Sequence, residues 1–404
     1  MDASTQSRTT WVTRNLVVLS FVSFLQDTAS ELLYPVLPIF LVSIGAPIAA
    51  VGAIEAVAEG VAAIAKYVAG RVSDRFQPRR IVGLGYGLAA AGKAIVAAAG
   101  VWPVVLLGRG VDRLGKGIRG APRDALLVDD IPVEARGRAF GVHRTADTAG
   151  AVVGPLIGWA LYEGLHHHIR PLLWIAVIPG TLSALAVALA NDSHVVTRLK
   201  EARAAGLARP DVAIPAEAKR VITALAIFSL VNFPDALIIL RANELGLTLG
   251  FVILAYCLYN VSYAGLSYPF GALADRLSSN VVYAIGLVCF AVGYFGLGVV
   301  TNKVWVWPLF LVYGGFQAAT DGVGKSWVSK LVPAEVQGRT QGTLQAATGV
   351  GILVAGLWAG FAWKAGAGHH PHHYGQIPLM ISGVVALAAA VFVATALPTN
   401  KISA

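Results

Sequence analysis

The chain has 404 residues, of which 56% are hydrophobic and only 13% charged, and its mean hydropathy is +0.67. That leaves too little polar surface for an ordinary soluble domain. The formal net charge of +9 does not point to nucleic acid, because the basic residues are spread over alternate loops instead of forming one patch.

Twelve apolar stretches follow one another at 14–44, 48–69, 80–100, 103–124, 139–163, 171–190, 221–242, 248–269, 281–300, 304–326, 341–363 and 377–396. Each approaches or exceeds the ~20 residues with which an α-helix crosses ~30 Å of hydrocarbon. Helices are expected, since an isolated strand would leave its backbone unpaired in lipid. The fold class is therefore all-α and polytopic, with twelve transmembrane helices. Arg8 and Arg14 precede a run too long for the apolar core of a cleavable leader, so the first span is expected to persist. Forty-four glycines allow helix backbones to approach closely. Cys257 and Cys289 lie inside apolar spans and pack as small hydrophobes. No residue pattern calls for a cofactor.

One set of loops carries Arg71, Arg75, Arg79, Arg80, Arg136, Arg138, Arg198, Arg276, Lys330 and Arg339, while the other holds little beyond Arg170, Lys303 and Lys364. The positive-inside rule then places both termini in the cytoplasm. Residues 191–220 form the long polar connection, dividing the chain into a bundle at 1–190, a cytoplasmic linker and a bundle at 221–404.

The two parts repeat. Gly70, Val72, Ser73, Asp74, Arg75 returns as Gly271, Leu273, Ala274, Asp275, Arg276, and 275 minus 74 is 201. Pro132, Glu134, Gly137, Arg138, Gly141 returns as Pro333, Glu335, Gly338, Arg339, Gly342, and 333 minus 132 is again 201. A shift of six spans keeps orientation, so the bundles are parallel repeats with a path expected between them.

On these residues the chain resembles the major facilitator superfamily along its whole length. The turn Gly70 to Arg80 is similar to that superfamily's loop between spans two and three. Such a loop works as a latch: a glycine permits close approach, an aspartate sits at the positive end of a neighbouring helix, and arginines bind carboxylates. In span five, Gly150, Gly154, Pro155 and Gly158 resemble the signature of drug and proton antiporters. Three glycines at i, i+4 and i+8 share a face, and the proline lets the helix bend.

Span four is too charged to face lipid. Arg109, Asp112, Arg113, Lys116, Arg119 and Arg123 share one face, and a lone central charge costs at least ~2.5–3.5 kcal/mol. The superfamily's span-four arginine, linked to proton coupling, matches Arg109 or Arg113, with Arg109 preferred. Asp27 and Glu31 in span one and Glu55 and Glu59 in span two are expected to meet it. A buried carboxylate beside arginine takes up or releases a proton on small movements. Arg144 and Asp147, three apart in span five, are expected in the cytoplasmic gate with Asp74, Arg75, Asp275 and Arg276. Gln26, Tyr34, Asn232, Asp235, Tyr313, Gln317 and Asp321, on spans one, seven and ten, are candidates for substrate contact.

His166, His167 and His168, with His369, His370, His372 and His373, form two clusters in extracytoplasmic loops. Imidazoles at that density bind transition metals, and related metal-resistance members of the superfamily carry similar histidines. The expectation is a proton-coupled antiporter exporting a small molecule or ion across the bacterial inner membrane. It is not expected to be an enzyme, its partners are protons, a small-molecule or metal-ion substrate and lipid, and it is expected to act as a monomer. The alternatives are transition-metal efflux, organic-anion import motivated by the basic span four, and a non-transporting scaffold.

Overall fold

The computed structural model describes residues 11–33, 36–46, 54, 57–58, 60–62, 64–66, 68–69, 77–166, 168–192, 213–363 and 374–399. Among the described residues there are thirteen α-helices and no strand. In chain order they are α1 (Arg14–Leu33), α2 (Leu37–Ser43), α3 (Pro78–Ala98), α4 (Trp102–Val128), α5 (Arg136–Gly164), α6 (Ile169–Ala186), α7 (Ala216–Ser229), α8 (Asp235–Glu244), α9 (Leu249–Arg276), α10 (Ser279–Val299), α11 (Val306–Lys330), α12 (Gln337–Ala362) and α13 (Gln376–Ala396).

Local sequence explains several boundaries. Pro78 opens α3 at a position where its missing N–H costs nothing. The stretch at 221–242 is broken into α7 and α8, because Pro234 precedes α8 and Asp235 occupies its first turn. The carbonyls freed near that break find partners: Trp358 Nε1 donates to Leu230 O at 2.7 Å and Tyr294 OH to Phe233 O at 3.0 Å. The first stretch is likewise divided, into α1 and α2.

The repeat reappears in the helices. α3 at 78–98 and α10 at 279–299 correspond at both ends with an offset of 201. The paired Pro-Glu segments each form a 3₁₀ turn, Val133–Ala135 and Ala334–Val336, that leads into α5 and α12.

Among the described residues, six elements are long and apolar enough to cross a membrane: α1, α3, α6 with its extension to Leu189, α10, α12 with its preceding turn, and α13. α4, α5, α9 and α11 have 27, 29, 28 and 25 residues, which is sufficient length. Of the stretch at 48–69, only scattered helical positions lie within the described residues. Large apolar side chains such as Phe21, Leu185 and Phe361 are exposed on the outside, where a lipid solvent would meet them.

The large clusters of buried apolar side chains stay within each half. One core cluster draws on residues 221–397 alone, and two others on residues 16–190. Glycine governs the close helix contacts. A Cβ on Gly92 would stand 2.6 Å from Gly108 O, and one on Gly85 would stand 2.8 Å from Gly115 O, so α3 and α4 touch backbone to backbone. α5 has two partners: its first turns pack on α9 around Gly137, Gly141 and Gly271, and its later turns pack on α1.

Candidate functional site

The close approach of α3 and α4 allows charge to be buried between them. Lys93 reaches Asp112 at 2.9 Å, and Arg109 and Arg113 approach the other oxygen of that carboxylate at 3.4 and 3.9 Å. Asp112 is 3% exposed; a buried carboxylate is tolerable because several cations share it. Lys93 is the one charged residue of its stretch after Arg80 at the boundary, and a lone lysine among glycines and alanines is itself a signal in the sequence.

Beside this cluster the α4 face lines two neighbouring spaces. A cavity of about 420 Å³ lies between the halves, lined on one side by Asp27, Lys66, Lys116, Arg119, Arg123 and Arg144 and on the other by residues of α7, α10, α11 and α12. A chamber of about 80 Å³ adjoins it, lined by Asp27, Glu31 and the α4 arginines. Asp27, Lys116 and Arg119 line both. Asp27 and Glu31 therefore meet the span-four face as expected. Among the described residues neither has a cation within ion-pair distance, whereas Asp112, Asp124, Asp147, Asp275 and Asp321 each hold one or more. The three glycines of span five lie behind these acids. A Cβ on Gly150 would be 3.1 Å from Asp27 Cβ and one on Gly154 2.9 Å from Glu31 Cβ, so the motif seats α1 directly.

One end of the cavity is bridged by charges from both halves. Asp124, fully buried, accepts from Arg123 at 3.0 and 3.1 Å, from Gln345 of α12 at 3.0 Å and from Lys325 of α11 at 3.1 Å. Arg144 joins Asp147 on its own helix to Asp321 on α11, both at 2.5 Å, and Tyr263 OH donates to Asp321 at 2.7 Å. The Arg144–Asp147 pair is thus part of a bridge between halves. Asp124 and Gln345 were not singled out from sequence, since helical spacing shows which face a residue is on but not what stands opposite.

Beyond this bridge sits the latch. Asp275 accepts from the backbone N–H groups of Gly137 and Arg138, both at 2.8 Å, at the N-terminus of α5. Arg138 and Lys330 reinforce it at 3.2 and 3.0 Å, and Arg136 donates to Ser329 O at 2.6 Å. Arg276 is exposed and takes no part in these contacts. Asp74 and Arg75, the other copy of the motif, lie outside the described residues, as do Glu55, Glu59 and Tyr34.

Of the substrate candidates, Asn232, Gln317 and Asp321 line the cavity. Asp235 does not; it accepts from Tyr313 OH at 2.7 Å and Tyr259 OH at 3.2 Å inside an aromatic cluster. Tyr313 belongs to that cluster as well, stacked on Tyr259 and Phe316. Gln26 is buried, accepting from Ser183 Oγ at 3.1 Å, and ties α1 to α6. His166 and His168 are exposed, and no group of three or more potential metal ligands occurs among the described residues. His167 and the cluster His369, His370, His372 and His373 lie outside them.

Residues 19–240 and 221–403 match the family model described as Major Facilitator Superfamily. The chain belongs to the major facilitator superfamily. Members of this superfamily are transporters, so the protein is a multi-pass membrane transporter and not an enzyme. It is 30% identical over 383 residues to an uncharacterised MFS-type transporter of Methanocaldococcus jannaschii, covering 93% of this chain and 95% of that one. It is 25% identical over 323 residues to the class E tetracycline resistance protein of Escherichia coli, covering 74% and 78%. Among solved structures it is similar to the human organic anion transporter MFSD10, with a TM-score of 0.74 at 17% identity over 94% of this chain and 99% of that one. At that identity the likeness establishes the fold alone.

Proposed function

We propose that the chain is a proton-coupled secondary transporter of the bacterial cytoplasmic membrane, with twelve spans in two parallel six-helix bundles at 1–190 and 221–404, that exports a small molecule by alternating access. The observation that carries this reading is the cavity of about 420 Å³ between the halves, bridged at one end by Arg144–Asp321 and Lys325–Asp124 and flanked by a chamber holding two acids without ion-pair partners among the described residues. With both termini cytoplasmic, the bridged end faces the cytoplasm and the cavity belongs to a cytoplasm-closed state. Transport then requires the bridges and the Asp275 latch to part while the opposite ends of the bundles come together.

Asp27 and Glu31 are the proton carriers of this scheme, with Glu55 and Glu59 of span two as further members. The remaining described acids around the cavity have fixed cations and serve to position and gate. Export is favoured by the similarity to a tetracycline resistance protein and by the antiporter-like glycines of span five. The test is reconstitution into vesicles carrying a pH-sensitive dye. An imposed pH gradient should dissipate on adding a transported compound, and for an exporter protons should move opposite to it. Movement driven by Na⁺ with no proton flux for any compound would contradict the proposal.

A further inference from the structure

The two walls of the central cavity differ in kind. Seven of the eight lining residues from the first half are charged, the exception being Gly120. The wall from the second half carries Leu225, Phe228, Tyr283, Phe316, Leu344 and Ile352, with Asp321 and Lys325 as its charged members. That pair is already engaged in the bridge to Arg144 and Asp124.

Two cations of the charged wall stand apart. Arg123 and Arg144 are bound to Asp124, Asp147 and Asp321. Lys116 and Arg119 have no acid within ion-pair distance among the described residues. Arg119 is 5% exposed, its guanidinium lies 4.3 Å from the Tyr86 ring centroid, and its Nη1 is buried without a hydrogen-bond partner. A buried guanidinium N–H with nothing to donate to is costly. Arg119 lines both the cavity and the adjoining chamber, so a small turn of its guanidinium would bring Nη1 to an acceptor arriving by that route.

We propose that the substrate is an amphiphilic organic anion, with its acidic head group held by Arg119 and Lys116 and its apolar, ring-bearing body against Phe228, Phe316 and Tyr283. The inference rests on the transport reading above and specifies its cargo. A guanidinium and an ammonium pair with a carboxylate or phosphate by charge-assisted hydrogen bonds, and aromatic side chains offer the opposite end a stacking surface. The volume of about 420 Å³ lies in the range of roughly 300–1,000 Å³ typical of small-molecule sites. Asn232 and Gln317, which line the cavity on the same side, have both donors and acceptors for a neutral substituent on the body.

The test compares four probes on the full-length protein in lipid nanodiscs: 2-naphthoate, 2-naphthyl phosphate, 2-naphthylmethylamine and acetate, with binding followed by thermal stabilisation and calorimetry. At least one naphthyl anion should bind ten-fold or more tightly than both the amine and acetate, and the two anions show whether the head group is carboxylate or phosphate. Arg119→Gln should weaken the preferred anion at least ten-fold, with Arg119→Lys retaining part of its affinity. Phe316→Ala should weaken the naphthyl anion several-fold and leave acetate unchanged. Each variant is first checked for a monodisperse elution profile, and Lys116→Gln, at an exposed position in the cavity, provides a second variant if Arg119→Gln does not fold. Equal or tighter binding of the amine, binding of no naphthyl anion, or anion binding indifferent to both cation changes overturns the inference. Vesicle flux separates the two levels: proton exchange with the amine but not the anions sinks the anion assignment and leaves the transport reading, whereas anion binding without flux under any gradient does the reverse.

Discussion

Lys325 of α11 reaches across to Asp124 of α4, Nζ to Oδ2 at 3.1 Å, and Asp124 has no exposed surface. A carboxylate this deeply buried is stable only while its cations stay, which ties the position of α11 to that of α4. Asp124→Asn should cost about 3 kcal/mol of stability, in line with buried pairs that lose one partner. It should also favour opening at the bridged end. A cysteine placed at Ser329, buried beyond the bridge, should react with maleimide at least ten-fold faster in the Asp124→Asn background than in the parent. An unchanged rate would remove the bridge from the gating scheme.

The latch predicts a second pair of effects. Asp275 is held by two backbone N–H groups at the start of α5, and Gly137 sits so close that a Cβ there would collide with Asp275 and with Gly271 O. Asp275→Ala and Gly137→Ala should therefore weaken closure at the same end by different means, one by removing the acceptor and the other by forcing the helices apart. Both should lower transport at least ten-fold. In a double variant the losses should fall well short of additive, because the two residues act at one contact.

The span-five glycines yield a stability prediction. Gly154→Ala would bring a Cβ within 2.8 Å of Thr28 O and 2.9 Å of Glu31 Cβ, and overpacking of this kind costs about 1–3 kcal/mol. Thermal stability should fall, and Gly154→Val should be worse. Gly164, around whose Cβ position nothing lies within 4 Å, should accept alanine without loss and serves as the control.

Much of this architecture was legible in the sequence for definite physical reasons. Apolar length found the helices, because lipid leaves a spanning backbone few other choices, and the 201-residue offset returns in the matching ends of α3 and α10. The charges on α4 announced an interior face, and Asp27 and Glu31 do meet it. Pairing was harder to read. Lys93 and Asp112 meet because glycines at 85, 92, 108 and 115 bring two backbones together, which no periodicity reveals. Asp235 resembled a cavity residue because it follows a proline break, yet Tyr259 and Tyr313 take both its oxygens. The spacing of Arg144 and Asp147 marks them as members of a gate, but only the position of α11 shows that Arg144 also holds Asp321.

Proton coupling through Asp27 and Glu31 is the central claim, and vesicle flux of the double variant Asp27→Asn, Glu31→Gln tests it most directly. With a compound that the parent transports, the variant should still exchange labelled for unlabelled compound across the membrane, since the cavity and its gates are retained. It should no longer accumulate that compound against its gradient when a pH difference is imposed, nor move protons when the compound is added. Accumulation and proton movement at the parent's level in the double variant would contradict the account.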